Sequence, residues 1–196
     1  MKLKPKVHKI ICGLGTGEHL EYWGYDHERI IEKDWNESFE LDHGFTVHTV
    51  PSRHFSGRWL KRNQALWTSF VLQTPGLRIF IGGDSGYDKH FAEIGKTFGG
   101  FDLAIMENGQ YNKNWKHTHL MPHEILQAGK ELKAKRIFPV HSSKFVLGNH
   151  AWDAPLELIT ENNKKENLNI ITPMIGEKVD LDNHDQAFSH WWKGVS

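Results

Sequence analysis

The sequence predicts an α/β fold, and three observations support this prediction. Short apolar runs bounded by glycine, proline and aspartate recur along the chain, as expected for buried strands. In the second half these runs alternate with stretches of helical period, which is typical of α/β architectures. The length of 196 residues is enough for one sizeable core. We therefore expect a single domain over residues 1–196.

Seven apolar runs are predicted to be strands, because each is short and bounded by turn-forming residues. They are Val7–Cys12, Phe45–Pro51, Thr68–Gln73, Arg78–Gly82, Leu103–Met106, Arg136–Val140 and Asn169–Met174. The third and fourth runs flank Thr74-Pro75-Gly76-Leu77, whose Pro-Gly pair marks a turn. These two strands are therefore predicted to form a hairpin.

Four segments are predicted to be helices. They are Glu18–Trp23, Asp88–Phe98, Pro122–Leu132 and Ala154–Asn163. In the third, Pro122 suits the first turn, where its missing N–H costs nothing, and Glu124 suits the positive end of the helix dipole. Ile125, Ala128 and Leu132 then share one face, which we expect to lie on the core.

Composition narrows the classes of partner. Lysine plus arginine and aspartate plus glutamate number 24 each, so the formal net charge is zero. A nucleic-acid or anionic-membrane surface as main partner is disfavoured, because both need an excess of positive charge. The single cysteine, Cys12, forms neither an internal disulfide nor a thiolate metal cluster. Since no apolar run is long enough for a signal peptide or a membrane span, we expect a cytoplasmic protein without stable membrane insertion.

Three polar residues follow predicted strands. His54 comes after Phe45–Pro51, Asp84 follows the glycines that end the strand at Arg78–Gly82, and His141 follows Arg136–Val140. Ligands collect at the carboxyl ends of strands in α/β sheets, so the three residues together predict a site. Taken singly, each has a simpler interpretation: an Asx-type turn for the aspartate, and structural hydrogen bonding for a histidine.

Two imidazoles and one carboxylate are ligands that suit a divalent metal, with zinc favoured and iron or manganese as alternatives. The two oxygens of Asp84 can bridge a pair of cations about 3.5–4 Å apart, and such a pair generates hydroxide near neutral pH. The glycines before Asp84 leave room for an ion or substrate to approach the backbone.

Several further motifs, in this order along the chain, make the sequence resemble one protein family. They are Gly17–Gly24, His54, Gly82–Tyr87, Phe91–Gly95, Phe98–Ala104 and His119–Glu124. This pattern resembles the metallo-β-lactamase superfamily, and within it the branch that contains N-acyl-phosphatidylethanolamine phospholipase D. The resemblance is clearest over residues 6–155, while residues 156–196 show a predicted helix, a strand and a tail.

The resemblance implies an αββα sandwich that hydrolyses a small phosphodiester, phosphate ester or lactone at a two-metal site. His54 would ligate one ion, Asp84 would bridge both, and His141 would ligate the other. Asp84 and His119 are the predicted catalytic residues. His119 would donate a hydrogen bond to the substrate or protonate its leaving group. Tyr111 and Arg58 are further predicted substrate contacts, with ordinary packing and a surface ion pair as the respective alternatives.

One motif that the resemblance implies is not among these residues. The family's His-x-His-x-Asp-His segment, which would supply four more ligands, does not occur in the 196 residues. We therefore expect an incomplete domain that lacks the N-terminal strands, holds one ion or none, and is impaired or inactive alone. An exposed apolar edge and face would favour a homo-oligomer or a complementing N-terminal fragment. The alternative is a non-catalytic relative that acts as an oligomeric or binding module.

Overall fold

The computed structural model of the protein describes residues 3–58, 61–145 and 147–195, without the side chain of Arg58. The strands are β1 Ile10–Gly13, β2 Ile30–Lys33, β3 Ser38–Glu40, β4 Thr46–Pro51, β5 Gly57–Arg58, β6 Lys61–Arg62, β7 Thr68–Gln73, β8 Arg78–Ile81, β9 Leu103–Glu107 and β10 Ile137–Val140. The helices are α1 Gly17–Tyr22, α2 His90–Phe98, α3 Glu124–Glu131 and α4 Ala154–Glu166. The predicted α/β class is confirmed.

The main sheet has six strands in the order β10-β9-β8-β7-β4-β3. Strands β8, β9 and β10 are mutually parallel, and β7 is antiparallel to both β8 and β4. Strand β4 therefore points the same way as β8, β9 and β10. The carboxyl ends of these four strands meet at one edge of the sheet, which is the edge where the sequence predicts a site.

Helices α2 and α3 pack their apolar faces against one face of this sheet. On that face Val71, Phe80, Ala104 and Ile137 lie side by side across β7, β8, β9 and β10, and all four belong to the main buried cluster. The predicted stripe on α3, formed by Ile125, Ala128 and Leu132, is fully buried in the same region, and this prediction is confirmed. Burying an apolar side chain of this size contributes roughly 1.5–3 kcal/mol.

The opposite face of the main sheet is also apolar but less covered, and we call it the open face. Phe70, Ile81, Ile105 and Phe138 lie side by side there on β7, β8, β9 and β10. Ile81 is 38% exposed, and the other three are half-buried. An apolar sheet face of this kind is a surface that another layer can cover.

The hairpin prediction is confirmed, since β7 and β8 are antiparallel neighbours and Thr74 N–H donates to the carbonyl of Leu77 at 2.8 Å. The helix predicted from Pro122 instead begins at Glu124, with His123 as its N-cap residue. The strand predicted over Asn169–Met174 is wrong: within it a single parallel bridge joins Ile170 to Ile137. Pro173 has no N–H to extend the ladder, which explains why pairing stops there.

Four short strands were not predicted. Strands β1 and β2 form a separate parallel pair, β5 and β6 form a small hairpin, and β3 is the edge of the main sheet. Strand β1 overlaps the predicted strand Val7–Cys12. The four that were not predicted, β2, β3, β5 and β6, carry mixed polar residues without a clear apolar run. Among the described residues, no helix is both long and apolar enough to span a membrane.

Candidate metal centre

Four strands bring polar residues to one edge of the main sheet. His54 lies just beyond β4, Asp84 just beyond β8 and His141 directly after β10, while Glu107 is the last residue of β9. The loop between β9 and α3 returns over the same edge and carries His119. The parallel direction of the four strands is thus what brings these side chains together.

His119 lies at the centre of this group of residues. His54, Asp84 and His119 each offer one ligand atom, and these three atoms lie within 4.8 Å of one another. The ring of His119 is 5.4 Å from that of His54 and 5.8 Å from that of His141, centroid to centroid. His141 Nε2 is 3.5 Å from Asp84 Oδ1. The structure therefore brings His54 and His141 each close to Asp84. It also places His119, which the sequence predicted as a catalytic residue and substrate contact, beside all three.

The imidazole of His54 is held in one tautomer by its own backbone neighbour. Its Nδ1 lies 2.7 Å from the carbonyl oxygen of Phe55. Since a carbonyl only accepts hydrogen bonds, Nδ1 carries the hydrogen and Nε2 keeps its lone pair. The His54 ring also stacks on Phe55, with centroids 5.0 Å apart. His54 can therefore offer Nε2 to a metal ion.

His119 is oriented by a buried carboxylate. Its Nδ1 lies 2.6 Å from Oε2 of Glu107. Oε1 of Glu107 accepts hydrogen bonds from the backbone N–H groups of Ser85 at 3.0 Å and Leu120 at 2.9 Å. The side chain of Glu107 is only 2% exposed, so these bonds replace the water that a carboxylate normally binds.

The pKa of His119 is raised above its ordinary value. Burial by itself lowers it, but the hydrogen bond that His119 donates to Glu107 and the negative charges of Glu107 and Asp84 outweigh that effect. When no ion occupies Nε2, His119 thus holds a second proton more readily than a free imidazole. In that state it can donate a hydrogen bond to an anionic oxygen.

Ser85 connects the loops that carry these residues. Besides donating its N–H to Glu107, its Oγ accepts the N–H of Arg53 at 2.9 Å and lies 3.2 Å from Nε2 of His90. Burial lowers the pKa of His90 to about 4, so this imidazole is neutral at physiological pH. Ser85, His90 and Glu107 were not predicted as site residues, although Glu107 follows a predicted strand as His54 and His141 do.

Close backbone packing fixes the ends of the site loops. A Cβ atom on Gly109 would overlap the carbonyl oxygen of His141, and one on Gly86 would overlap the carbonyl group of His117. His141 itself has a left-handed backbone with φ of 68°, a conformation that costs an L-residue of order 1–3 kcal/mol. Such strain at a proposed ligand is consistent with a functional constraint.

The other two predicted substrate contacts are Tyr111 and Arg58. The ring of Tyr111 stacks on His150 with centroids 4.2 Å apart, and its buried hydroxyl has no hydrogen-bond partner among the described residues. This stacking fits the packing alternative, and the substrate role of Tyr111 stays a prediction. The prediction for Arg58 falls on a side chain that lies outside the described part of the chain.

The residues present fit a divalent cation. Two ligands about 2.0–2.2 Å from one tetrahedral ion lie about 3.4 Å apart, close to the 3.5 Å between Asp84 and His141. Imidazole nitrogen and carboxylate oxygen are the ligand types that zinc, iron and manganese share in proteins. The half-exposed carboxylate of Asp84 adds the negative charge that such a site needs.

Comparison with known proteins gives matches in both sequence and structure. A family model described as "Beta-lactamase superfamily domain" matches residues 1–142. An uncharacterized protein of Mycobacterium tuberculosis is 38% identical over 187 residues, which are 94% of this chain and 50% of that protein. The mitochondrial N-acyl-phosphatidylethanolamine-hydrolyzing phospholipase D of Saccharomyces cerevisiae is 35% identical over 146 residues, covering 68% of this chain and 31% of the yeast protein.

The fold also matches solved structures. A metallo hydrolase from the archaeon Ignicoccus hospitalis superposes with a TM-score of 0.68 at 16% identity, covering 87% of this chain and 67% of the archaeal chain. At this identity the likeness concerns the fold alone. The chain spans about half the length of the mycobacterial relative.

Proposed function

Since the chain belongs to the beta-lactamase superfamily, we propose that it forms part of a metal-dependent hydrolase whose ion contacts His54, Asp84 and His141. The observation that carries this proposal is the convergence of imidazole and carboxylate groups at the carboxyl ends of β4, β8 and β10. The proposed substrates are small phosphodiesters, phosphate esters or lactones. Similarity to the yeast N-acyl-phosphatidylethanolamine-hydrolyzing phospholipase D favours the first of these. Zinc is the proposed metal, and iron or manganese are alternatives.

The protein's own groups have separable roles in this proposal. A bound divalent ion supplies Lewis-acid polarisation of the bond that is cleaved. Protonated His119 donates a hydrogen bond to the oxygen on which negative charge develops, and a fixed donor of this kind is worth about 2.7–4 kcal/mol of barrier. Glu107 holds His119 in position and favours its protonated form. The substrate is expected to approach from the side on which Asp84 is exposed.

We further propose that this chain alone hydrolyses poorly. The His-x-His-x-Asp-His motif, to which the family resemblance assigns four more ligands, does not occur in the 196 residues. Fewer ligands mean weaker binding of the ion and less preorganisation of the site. A complementing N-terminal fragment would supply the missing ligands in this proposal.

A hydrolysis assay tests the proposed function. Bis(p-nitrophenyl) phosphate and a simple lactone would be assayed with zinc, using this chain and a longer protein in which the four-ligand motif precedes it. We expect the longer protein to hydrolyse at least one substrate, and D84N and H141A in it to lower kcat/KM by at least about 100-fold. H27A is the matched control, because the His27 side chain is 84% exposed. Absence of hydrolysis by the metal-loaded longer protein would contradict the proposal.

A second candidate function is a non-catalytic module that associates through the open face. The supporting observation is the apolar row on β7 to β10, with Ile81 exposed. Sedimentation velocity on this chain is the test, with I81E compared with L158E, because Leu158 is similarly exposed at 40% but lies on α4. This candidate predicts an oligomer that I81E dissociates and L158E does not. A monomer at all concentrations would exclude it.

A further inference from the structure

We infer that the substrate of this site carries one compact apolar group, and that a cavity between β10 and the C-terminal arm, residues 172–195, binds that group. The inference rests on the proposed function and deepens it, because it assigns a subsite to a part of the substrate that neither the ion nor His119 contacts. It also gives a role to the C-terminal arm, to which the proposed function assigns none.

The cavity adjoins the metal centre. Its volume is about 270 Å³, and one of its lining residues is His141, whose Nε2 lies 3.5 Å from Oδ1 of Asp84. The other walls come from the end of β10, from α4 and from the arm, and their main apolar members are Phe138, Leu156, Met174, Val179 and Trp191. A molecule bound beside His141 can therefore place a substituent in this cavity.

The wall that the arm contributes is held in place by buried polar contacts. The guanidinium of Arg136, which is 2% exposed, donates to the carbonyl oxygens of Asp180 at 3.2 Å and Leu181 at 2.8 Å. The indole N–H of the buried Trp192 donates to Oε1 of Glu157 on α4 at 2.5 Å. Because the arm is already ordered, a ligand that binds against it loses less free energy to ordering the protein.

The chemistry of the walls favours an uncharged, apolar occupant. Met174 and Ile175 line the cavity although they are 54% and 78% exposed, so an apolar ligand would remove part of their surface from water. Glu177 also lines it, but its Oε2 already accepts the N–H of Met174 at 2.7 Å. Among the lining residues that the structure describes, there is no lysine or arginine that would bind a second anionic group.

The volume of the cavity limits the size of this group. A benzene ring fits a protein cavity of about 150 Å³, so a cavity of about 270 Å³ admits one ring with a short substituent, or a branched alkyl group of similar size. A long alkyl chain would project beyond it. The inferred substrate class is therefore aryl or compact alkyl esters of phosphate.

Two phosphonates that differ only in their apolar group test this subsite. Benzylphosphonate and methylphosphonate would be titrated into the Zn²⁺-loaded chain and into the longer protein, followed by ¹H–¹³C spectra of the methyl groups. We expect benzylphosphonate to bind about 10–100-fold more tightly, because its ring leaves water. The ring should also shift the methyl signals of Leu156, Met174 and Val179.

Substitution of Val179 changes the size of the cavity in either direction. V179F should reduce the preference for benzylphosphonate to less than about 3-fold and leave the Kd of methylphosphonate unchanged. V179A should tighten the binding of 1-naphthylmethylphosphonate by about 3–10-fold and weaken that of benzylphosphonate. V195F is the matched control, because Val195 lies on the same arm but is 56% exposed and does not line the cavity. A misfolded variant would weaken every ligand, so opposite changes identify the cavity.

The outcomes separate this inference from the proposed function. Benzyl alcohol, which has no anionic group, should shift the same methyl signals with or without Zn²⁺. If it does so but the longer protein hydrolyses none of the substrates, the cavity assignment stands and the proposed function fails. If the longer protein hydrolyses a phosphodiester but V179F leaves the preference between the two phosphonates unchanged, the proposed function stands and the inference is overturned.

Two further results would overturn the inference. One is the absence of methyl shifts with both benzyl alcohol and benzylphosphonate. The other is binding of benzyl alcohol by this chain but not by the longer protein, because the upstream segment would then occupy the cavity.

Discussion

The candidate metal centre has two layers that differ in burial and in hydrogen bonding. The inner layer, Ser85, Glu107 and His119, has side chains that are 2%, 2% and 14% exposed and are joined by hydrogen bonds. In the outer layer, formed by His54, Asp84 and His141, Asp84 and His141 are 43% and 35% exposed. The two layers meet where one ligand atom from each of His54, Asp84 and His119 lies within 4.8 Å of the other two.

This difference indicates a division of roles. The inner layer satisfies buried N–H groups from separate loops, so its removal should unfold the site. The outer layer makes few such bonds, so its polar groups contribute little to stability and are free to bind an ion. Replacing a carboxylate by an amide should therefore lower stability when the residue belongs to the inner layer. The same replacement in the outer layer should weaken metal binding and leave stability nearly unchanged.

The largest expected effect comes from Glu107. E107Q should lower the free energy of unfolding by about 3–5 kcal/mol. Both oxygens of Glu107 accept hydrogen bonds, whereas the amide has one oxygen, so its NH₂ group would face a buried N–H donor. D84N, the same change in the outer layer, should alter the free energy of unfolding by less than about 0.5 kcal/mol. Urea unfolding followed by tryptophan fluorescence measures both. Equal losses in the two variants would remove the distinction between the layers.

The next effect concerns pH. Burial lowers the pKa of His90, the partner of Ser85, to about 4, so between about pH 6.5 and 4 the unfolded chain binds a proton that the folded chain does not. Stability is thus retained above pH 6.5 and lost as the pH falls toward 4, by up to about 3 kcal/mol at 1.36 kcal/mol per pKa unit.

Replacing His90 isolates this contribution from all other titrations. The free energy of unfolding, measured by urea between pH 7 and 4, should fall less in H90Q than in the unsubstituted chain. Parallel curves for the two proteins would show that His90 does not titrate as the buried position requires.

A smaller effect is expected at Gly109, where the loop after β9 packs on His141. G109A should lower the free energy of unfolding by roughly 1–3 kcal/mol, since the added Cβ overlaps the His141 carbonyl oxygen and the backbone must move. G76A is the control, because a Cβ there meets no atom within 4 Å. Thermal unfolding of both variants provides the comparison, and an unchanged G109A would mean that this contact is not tight.

The smallest effect has the opposite sign. H141G should raise the free energy of unfolding by about 0.5–1 kcal/mol, because glycine adopts the left-handed backbone of residue 141 without steric cost. S142G, at a neighbour without a positive φ, should lower it by a similar amount. Urea unfolding distinguishes the two signs, and destabilisation by H141G would show that His141 contributes contacts as well as strain.

Much of the fold could be predicted from the sequence because its signals are local. The Pro-Gly turn predicted the β7–β8 hairpin, and the spacing of Ile125, Ala128 and Leu132 predicted the buried face of α3. The segment over Asn169–Met174 failed because its apolar character resembles a strand, whereas Pro173 limits it to one bridge.

The site could be predicted only in part. His54, Asp84 and His141 follow strands, so a rule about strand ends predicted that they lie together. Glu107 directly follows the predicted strand Leu103–Met106, so the same rule could have found it, but it was not predicted as a site residue. The position of His119 depends on the path of the whole loop between β9 and α3, which is a tertiary property that no local pattern contains.

Anomalous diffraction from a crystal of this chain grown with zinc tests the central claim most directly. We predict a peak about 2.0–2.2 Å from Nε2 of His54, a carboxylate oxygen of Asp84 and Nε2 of His141, with Glu107 still bound to Nδ1 of His119. A peak bound by His119 without His141, or no peak beside Asp84, would contradict the proposed ligand set.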